Sequence, residues 1–343
     1  MIKKIIKAVN VVFGNFVRVQ SRLSFDEARK YLQEISPKPK GTCYTKNKLA
    51  IQYDLHIIIP AYNAEKYIKE CLKSVFIQVS EYSVLATVVN DGSTDQTSII
   101  LENLKKLYKG SQIDIEIINQ DNKGYSGARN TALSFIRGKY IIFLDADDVL
   151  PQDTIEVMLD TAYEYDADIL QGSWYTFTNE KKKEHRVKES GKESGSQGYI
   201  SGYPWGKLYK YSVLENFQFP DGYWFEDTPI SFILAALPFK CISIDNIVYG
   251  YRLNSEGITS KAVYSEKSID SYWITEQCLK EFPKFKVHYD QKAYEYLLQQ
   301  SIMNAWRIRK QKRKVRESEF VLITKLMDDY FKGFHTKNAN MSK

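Results

Sequence analysis

The chain has 343 residues, is 43% hydrophobic and 26% charged, and carries a net charge of +6. That balance excludes collagen-like and disordered chains, and no apolar stretch reaches the roughly 18 residues of a spanning helix. The four cysteines, at 43, 71, 241 and 278, include no CxxC pair. They exclude a zinc or disulfide framework and point to a reducing, cytoplasmic setting, and no signal-peptide core is legible at the N-terminus.

Charge is uneven along the chain. Residues 1–22 hold five basic side chains and no acid, and residues 307–316 hold seven and no acid, which leaves the remainder at −6. Residues 1–20 are expected to form an amphipathic helix, with Ile2, Ile5, Ile6, Val9, Val12, Phe13, Phe16 and Val17 opposite Lys3, Lys4, Lys7 and Arg18. Two destinations suit it: an anionic membrane surface, aided by 307–316, or packing on the protein or on a second subunit of a homodimer. No nucleic-acid motif accompanies the basic runs, so no nucleic-acid partner is expected. Pro37, Pro39 and Gly41 mark residues 36–48 as a linker.

From Leu55 strands and helices alternate. Leu55–Ile59 is the first predicted strand, followed by a helix with Asn63 as N-cap and Tyr67, Ile68, Cys71, Leu72, Val75 and Phe76 on one face. Val84–Val89, Ile113–Ile118 and Tyr140–Leu144 are further strands, separated by helices over 95–108 and 126–137, the latter ended by Gly138. This order predicts a Rossmann-like, mostly parallel α/β sheet flanked by helices. Beyond Pro151 the alternation weakens, residues 180–198 are expected to be a flexible surface segment, and 266–332 are mostly helical. The expected division is 1–54, helix and linker; 55–150, the half with strand–helix alternation; 151–262, the half where it weakens; and 263–343, a C-terminal helical extension.

Ligands of open parallel sheets bind at the carboxyl ends of the strands, and four polar groups fall there. They are Pro60-Ala61-Tyr62-Asn63, the run Asn90 to Asp95, the segment Asn119 to Arg129, and Asp145-Ala146-Asp147-Asp148. Three carboxylates within four residues repel one another unless a cation compensates. A hard divalent ion meets that need; Asp147 or Asp148 as a helix N-cap accounts for only one of the three.

Together these motifs, in order and spacing, resemble family 2 glycosyltransferases of bacterial polysaccharide type, with the GT-A fold, over residues 55–260. The 54-residue N-terminal extension departs from the usual family start. The resemblance implies that Pro60, Ala61, Tyr62 and Asn63 line the nucleoside pocket and that Asp91 accepts a hydrogen bond from uracil, so the donor is a UDP-sugar. Asn90 stands where many relatives have Asp. Glu65 either approaches the nucleotide or is simply an acid favoured at a helix N-terminus. Lys123, Gly124 and Arg129 lie near the diphosphate, the alternative for Arg129 being a surface ion pair. Asp145 and Asp147, with Ala146 between them, resemble the DxD motif that holds Mn2+ or Mg2+. In Trp224-Phe225-Glu226-Asp227, Asp227 is the expected base and Glu226 orients it or holds the acceptor; two acids at a helix N-terminus are the bland alternative. Trp205 and Lys207 are expected on the acceptor side, as a sugar-stacking indole and a phosphate contact, unless Trp205 is core. Tyr251-Arg252 and Ser255 to Ser260 resemble a loop that closes over the donor.

The resulting expectation is an inverting glycosyltransferase at the inner face of the cell membrane, moving a sugar to a glycan or lipid-linked acceptor. A sugar-phosphate nucleotidyltransferase would open with a Gly-rich loop and lysine after the first strand, where Pro60 to Asn63 stands. A non-enzymatic membrane scaffold would have no use for acids at 145, 147 and 227.

Overall fold

The structure is a computed structural model that describes residues 23–192, 200–254 and 264–334. The expected amphipathic helix 1–20 and the Ser255 to Ser260 loop lie outside the described residues. The chain divides into a sheet unit, Gly41–Gly222 with Pro229–Asn254, and a helical unit, Met1–Lys40, Tyr223–Thr228 and Ser255–Lys343. The described chain opens in the helical unit with α1 (Phe25–Ile35).

Among the described residues the sheet unit carries eight strands. The first half runs β1 (Lys48–Ala61), α2 (Ile68–Phe76), β2 (Val84–Asp91), α3 (Thr97–Leu107), β3 (Ile113–Gln120), α4 (Gly124–Leu133) and β4 (Phe135–Phe143). The second half runs α5 (Thr154–Glu164), β5 (Ile169–Phe177), β6 (Lys182–His185), β7 (Lys207–Lys210), α6 (Tyr211–Leu214), α7 (Thr228–Phe232) and β8 (Cys241–Arg252). The strand order is β3-β2-β1-β4-β7-β5-β6, with β8 on β5. Strands β1 to β4 are mutually parallel and β7 is antiparallel to both β4 and β5. All eight residues of β2 are buried, as an apolar strand covered on both faces must be. Ile68, Cys71, Leu72 and Val75 of α2 recur at helical spacing and join the same core.

Four local expectations change. The helix expected to run to Gly138 stops at Leu133, and β4 begins at Phe135. Gly138 lies within β4, where a Cβ would collide with the His56 backbone of β1, so its role is close strand approach. Asn63 does not cap α2: the cap position is Tyr67. The Asn63 Oδ1 instead accepts from the Thr94 backbone at 2.8 Å and so ties two loops together. Residues 36–48 are anchored rather than slack. In the sheet unit, backbone bonds run from Thr45 to Asn216 and from Asn47 to Glu215, and β1 already starts at Lys48. Likewise Lys182–His185, inside the expected flexible stretch, pairs with β5. Cys43, Cys71, Cys241 and Cys278 are all free and buried.

The helical unit contains α1, the segment Tyr223–Thr228, α8 (Asp270–Glu281), α9 (Gln291–Arg307) and α10 (Arg313–Phe331). Ser24 and Glu27 form a capping box at the start of α1. The buried Glu276 of α8 is held by Arg29 at 2.5 Å and by Lys38 at 2.7 Å. These contacts keep its carboxyl at about 2 despite the opposing effect of burial. The basic run 307–316 spans the end of α9, a turn and the start of α10. Arg307 lies over the Phe225 ring and Lys314 over Tyr31. Among the described residues no helix is long and apolar enough to cross a membrane.

Candidate functional site

The carboxyl ends of β2, β1 and β4 lie side by side, because β1 is hydrogen-bonded to both of the others. The loops after β1 and β2 are cross-tied. Glu65 donates its backbone N–H to Asp95 at 3.1 Å, and its carboxylate accepts from Gln96 N at 3.0 Å. Ala64 N donates to Thr97 Oγ1 at 2.8 Å, and Asn63 N donates to Ser93 Oγ at 3.0 Å. Glu65 therefore acts first as a clamp between loops. Ala61 is buried, Pro60 half-buried, and Tyr62 stands exposed. Asn90 is occupied by Ser98 and Asn119 at 2.8 and 2.9 Å, which gives the Asn in place of Asp a structural use.

Asp91 ends β2 with 2% of its surface exposed. Its Oδ1 accepts from Gln120 Nε2 at 2.6 Å and from Lys123 N at 2.8 Å. Gln120 is itself oriented by Thr131, whose hydroxyl donates to its Oε1 at 2.6 Å. The Asp91 Oδ2 is buried and has no hydrogen-bond partner among the described residues. A buried carboxylate oxygen left without a donor is costly, and an imide N–H such as that of uracil would satisfy it. Gly124 opens α4 with φ +75°, a conformation that favours glycine. Gly127 lies so close to Lys123 that a side chain there would collide with it.

The turn after β4 is held from several sides. Arg129, buried on α4, donates to Asp145 Oδ1 at 2.7 Å. The Tyr249 hydroxyl donates to Asp148 Oδ2 at 2.7 Å, and the Asp145 N–H donates to the hydroxyl oxygen at 3.2 Å. The Arg252 backbone N–H donates to Asp148 Oδ1 and its Nε to the Asp147 carbonyl, both at 2.7 Å. Arg252 also pairs with Glu70 at 2.6 Å. Burial and the Asp145 charge raise Asp147 above the usual carboxylate range, and burial with both neighbouring charges raises Asp148 well above it.

These residues fit a divalent metal in one specific way. Asp148 is consumed by Tyr249 and Arg252, which leaves Asp145 and Asp147 as oxygen donors in a crowd of like charge. Among the described residues no group of three or more acidic, His or Cys side chains is arranged to hold a metal. Two carboxylates suit a hard ion that takes its remaining ligands from a bound diphosphate.

Trp205 is 8% exposed and stacked on Tyr203 at 4.6 Å and on Tyr249 at 4.7 Å. It forms the inner layer of an aromatic cluster, and the open ring is Tyr203, 45% exposed. Lys207 is 1% exposed, and its ammonium donates to Ser201 Oγ at 2.7 Å and the Tyr203 carbonyl at 2.5 Å. It holds the loop before β7; the phosphate contact expected of it would require leaving these partners. Glu226 and Asp227 belong to the helical unit, on the segment leading into α7, with Glu226 buried and Asp227 half-buried.

Tyr249, Gln120 and Glu70 were missed from sequence. Gln120 sits at the predicted end of the third strand and was discoverable there. Nothing in the sequence marks Tyr249 off from the chain's 25 tyrosines.

A mostly parallel sheet with this site at its strand ends is the GT-A fold. Residues 56–225 match the family model described as glycosyl transferase family 2, and this stretch of the chain belongs to that family. Glycosyltransferase GlyA of Streptococcus pneumoniae serotype 4 is 32% identical over 232 residues, covering 62% of this chain and 32% of that protein. The chain thus spans about a third of that relative's length. The crystal structure of S. aureus TarS 1-349 in complex with UDP-GlcNAc superposes with a TM-score of 0.51 at 18% identity, covering 81% of this chain and 93% of that one. Mannosyltransferase PcManGT from Pyrobaculum calidifontis, in complex with GDP-Man and Mn2+, gives 0.52 at 14% identity, covering 95% of this chain and 87% of that one. At such identities the two structures bear on the fold alone.

Proposed function

We propose that the protein transfers one sugar from a UDP-sugar to a hydroxyl of a glycan or lipid-linked acceptor, in the synthesis of a bacterial surface polysaccharide such as capsule. The observation that carries this reading is the Asp91 carboxylate, whose Oδ1 is fixed by Gln120 and Lys123 while its buried Oδ2 has no donor among the described residues. An acceptor so placed at a strand end suits the N3–H of uracil. The end of β4, on the other side of β1, offers Asp145 and Asp147 for the diphosphate, with Arg129 of α4 paired to Asp145 there. Asp145 and Asp147 would hold manganese or magnesium, which would supply positive charge against that of the departing diphosphate.

Asp227 takes the proton from the acceptor hydroxyl as that oxygen attacks the anomeric carbon; the bond to UDP breaks and the configuration inverts. Glu226 orients that base or the acceptor. Attachment to the inner membrane face through 1–20 and 307–316 would place the enzyme beside a lipid-linked acceptor.

The test is calorimetric titration of UDP, GDP and ADP with manganese, followed by hydrolysis of a panel of UDP-sugars. UDP is expected to bind best and at least one UDP-sugar to be hydrolysed. Absence of UDP binding, or a preference for GDP, overturns the reading.

A further inference from the structure

We propose that the helical unit carries an anion site for a phosphate or diphosphate group, in the hollow between α1 and the Pro37-Lys38-Pro39-Lys40 strap. The hollow has a volume of about 550 Å³. Arg29, Lys30, Lys38 and Lys40 line it against a single acid, Asp26. None of its residues belongs to the sheet unit, and the inference does not rest on the donor-site reading.

Its charge is not cancelled from behind. Glu276 accepts from Arg29 at 2.5 Å, Lys38 at 2.7 Å and Lys280 at 3.3 Å, so three cations share one carboxylate. Lys30 and Lys40 are exposed and pair with no acid among the described residues. Burial, with smaller effects from the Lys280 and Arg29 charges, lowers the Lys38 pKa even beside Glu276. A multiply charged anion supplies what this set lacks.

The strap is also held in shape. Two prolines restrict its backbone. Ser36 donates to Asp270 at 3.1 Å, and its carbonyl accepts from Trp273 Nε1 at 2.9 Å. The Lys38 N–H donates to Gln33 Oε1 at 3.3 Å, and the Pro39 carbonyl accepts from the Tyr223 hydroxyl at 3.0 Å. The lysines therefore lose little backbone freedom when a ligand arrives, which is the usual advantage of a preformed site.

Free phosphate compounds and anionic lipid headgroups share this chemistry, and the experiment separates them. Inorganic pyrophosphate is titrated by calorimetry into the full chain with EDTA present, which removes the metal-assisted part of binding at the donor site and leaves the two variants below to tell the sites apart. The double variant Lys30→Glu/Lys40→Glu is compared with Lys105→Glu/Lys106→Glu, an equal charge change at exposed positions of α3. Flotation with phosphatidylglycerol and with phosphatidylcholine vesicles, with and without pyrophosphate, forms the second arm.

The expected result is pyrophosphate binding weakened at least tenfold in the first variant and unchanged in the second, while both keep the wild-type affinity for UDP with manganese. If the source is lipid, flotation on phosphatidylglycerol also falls in the first variant only, and pyrophosphate competes with it. If the source is a free phosphate compound, pyrophosphate binds and flotation does not depend on Lys30 and Lys40. Absence of pyrophosphate binding, or equal losses in both variants, overturns the proposal.

Discussion

Gln120 donates its side-chain amide to Asp91 Oδ1 at 2.6 Å, and the second Asp91 oxygen, buried beside it, has no partner among the described residues. The pair behaves as a holder and a held acceptor. Thr131 orients Gln120 from α4, so the set is rigid before any ligand arrives.

Replacing the acceptor should cost nucleotide affinity without harming the fold. Asp91→Asn keeps the size but no longer presents a carboxylate, and UDP should bind ~10–100-fold more weakly, the worth of one hydrogen bond to a charged group. Gln120→Ala should weaken UDP less, because it only loosens the acceptor. Calorimetric titration with manganese ranks the three proteins; an unaltered affinity in Asp91→Asn would remove Asp91 from the base pocket.

Metal dependence should reside in the turn after β4. Wild-type protein is expected to bind UDP more tightly with manganese than without, and Asp147→Ala should lose that increment while keeping the weaker, metal-free binding. The site lies at strand ends rather than in the core, so the variant should melt near the wild-type temperature. Equal affinities in all four titrations refute the metal assignment.

Asp227→Asn should stop transfer and leave donor binding alone. Loss of a general base typically costs ~10²–10⁴-fold in rate. Turnover and UDP affinity, measured on the same preparation, separate the two roles. An inactive Glu226→Gln beside an active Asp227→Asn would reverse them.

His56 should give the protein a measurable acid sensitivity. It is fully buried on β1, with Nε2 2.9 Å from Thr87 Oγ1. Burial, reinforced by Arg137, lowers its pKa from 6.5 to about 3. A folded state that keeps the ring neutral binds fewer protons than the unfolded chain below about pH 6.5, so stability falls as pH drops through that point and towards 3. Each pH unit in that window is worth ~1.4 kcal/mol. Urea unfolding at pH 7 and pH 5 should therefore show wild type losing about 2 kcal/mol more than His56→Gln. Parallel losses in the two proteins would place the imidazole outside a sealed core.

The donor half was legible because its signals are local. Buried parallel strands show as apolar runs such as Val84–Val89, and the polar groups that follow each run are the strand-end loops themselves. Where the expectations failed, a competing local signal stood in the same place. Gly138 resembles a helix stop, yet it is the strand residue that lets β4 approach His56. Asn63 resembles a cap, yet it bonds to Thr94 across the neighbouring loop. The Ser24 to Glu27 capping box is a local signal at the start of α1, but the helix itself is established by the structure.

The sequence by itself determined the order of the strands and helices through β4 and the four polar strand-end groups, since each depends on residues close together in the chain. The tertiary structure alone decided which acids in those groups remain available. Asp148 is consumed by Tyr249, 101 residues away in sequence, while Asp145 faces Arg129 and one oxygen of Asp91 stays open. It also decided that Lys207 holds a loop and that Tyr203 rather than Trp205 is the exposed ring. The reason is physical: burial and hydrogen-bond partnership are set by which strands become neighbours in the sheet, and spacing along one strand carries no record of that.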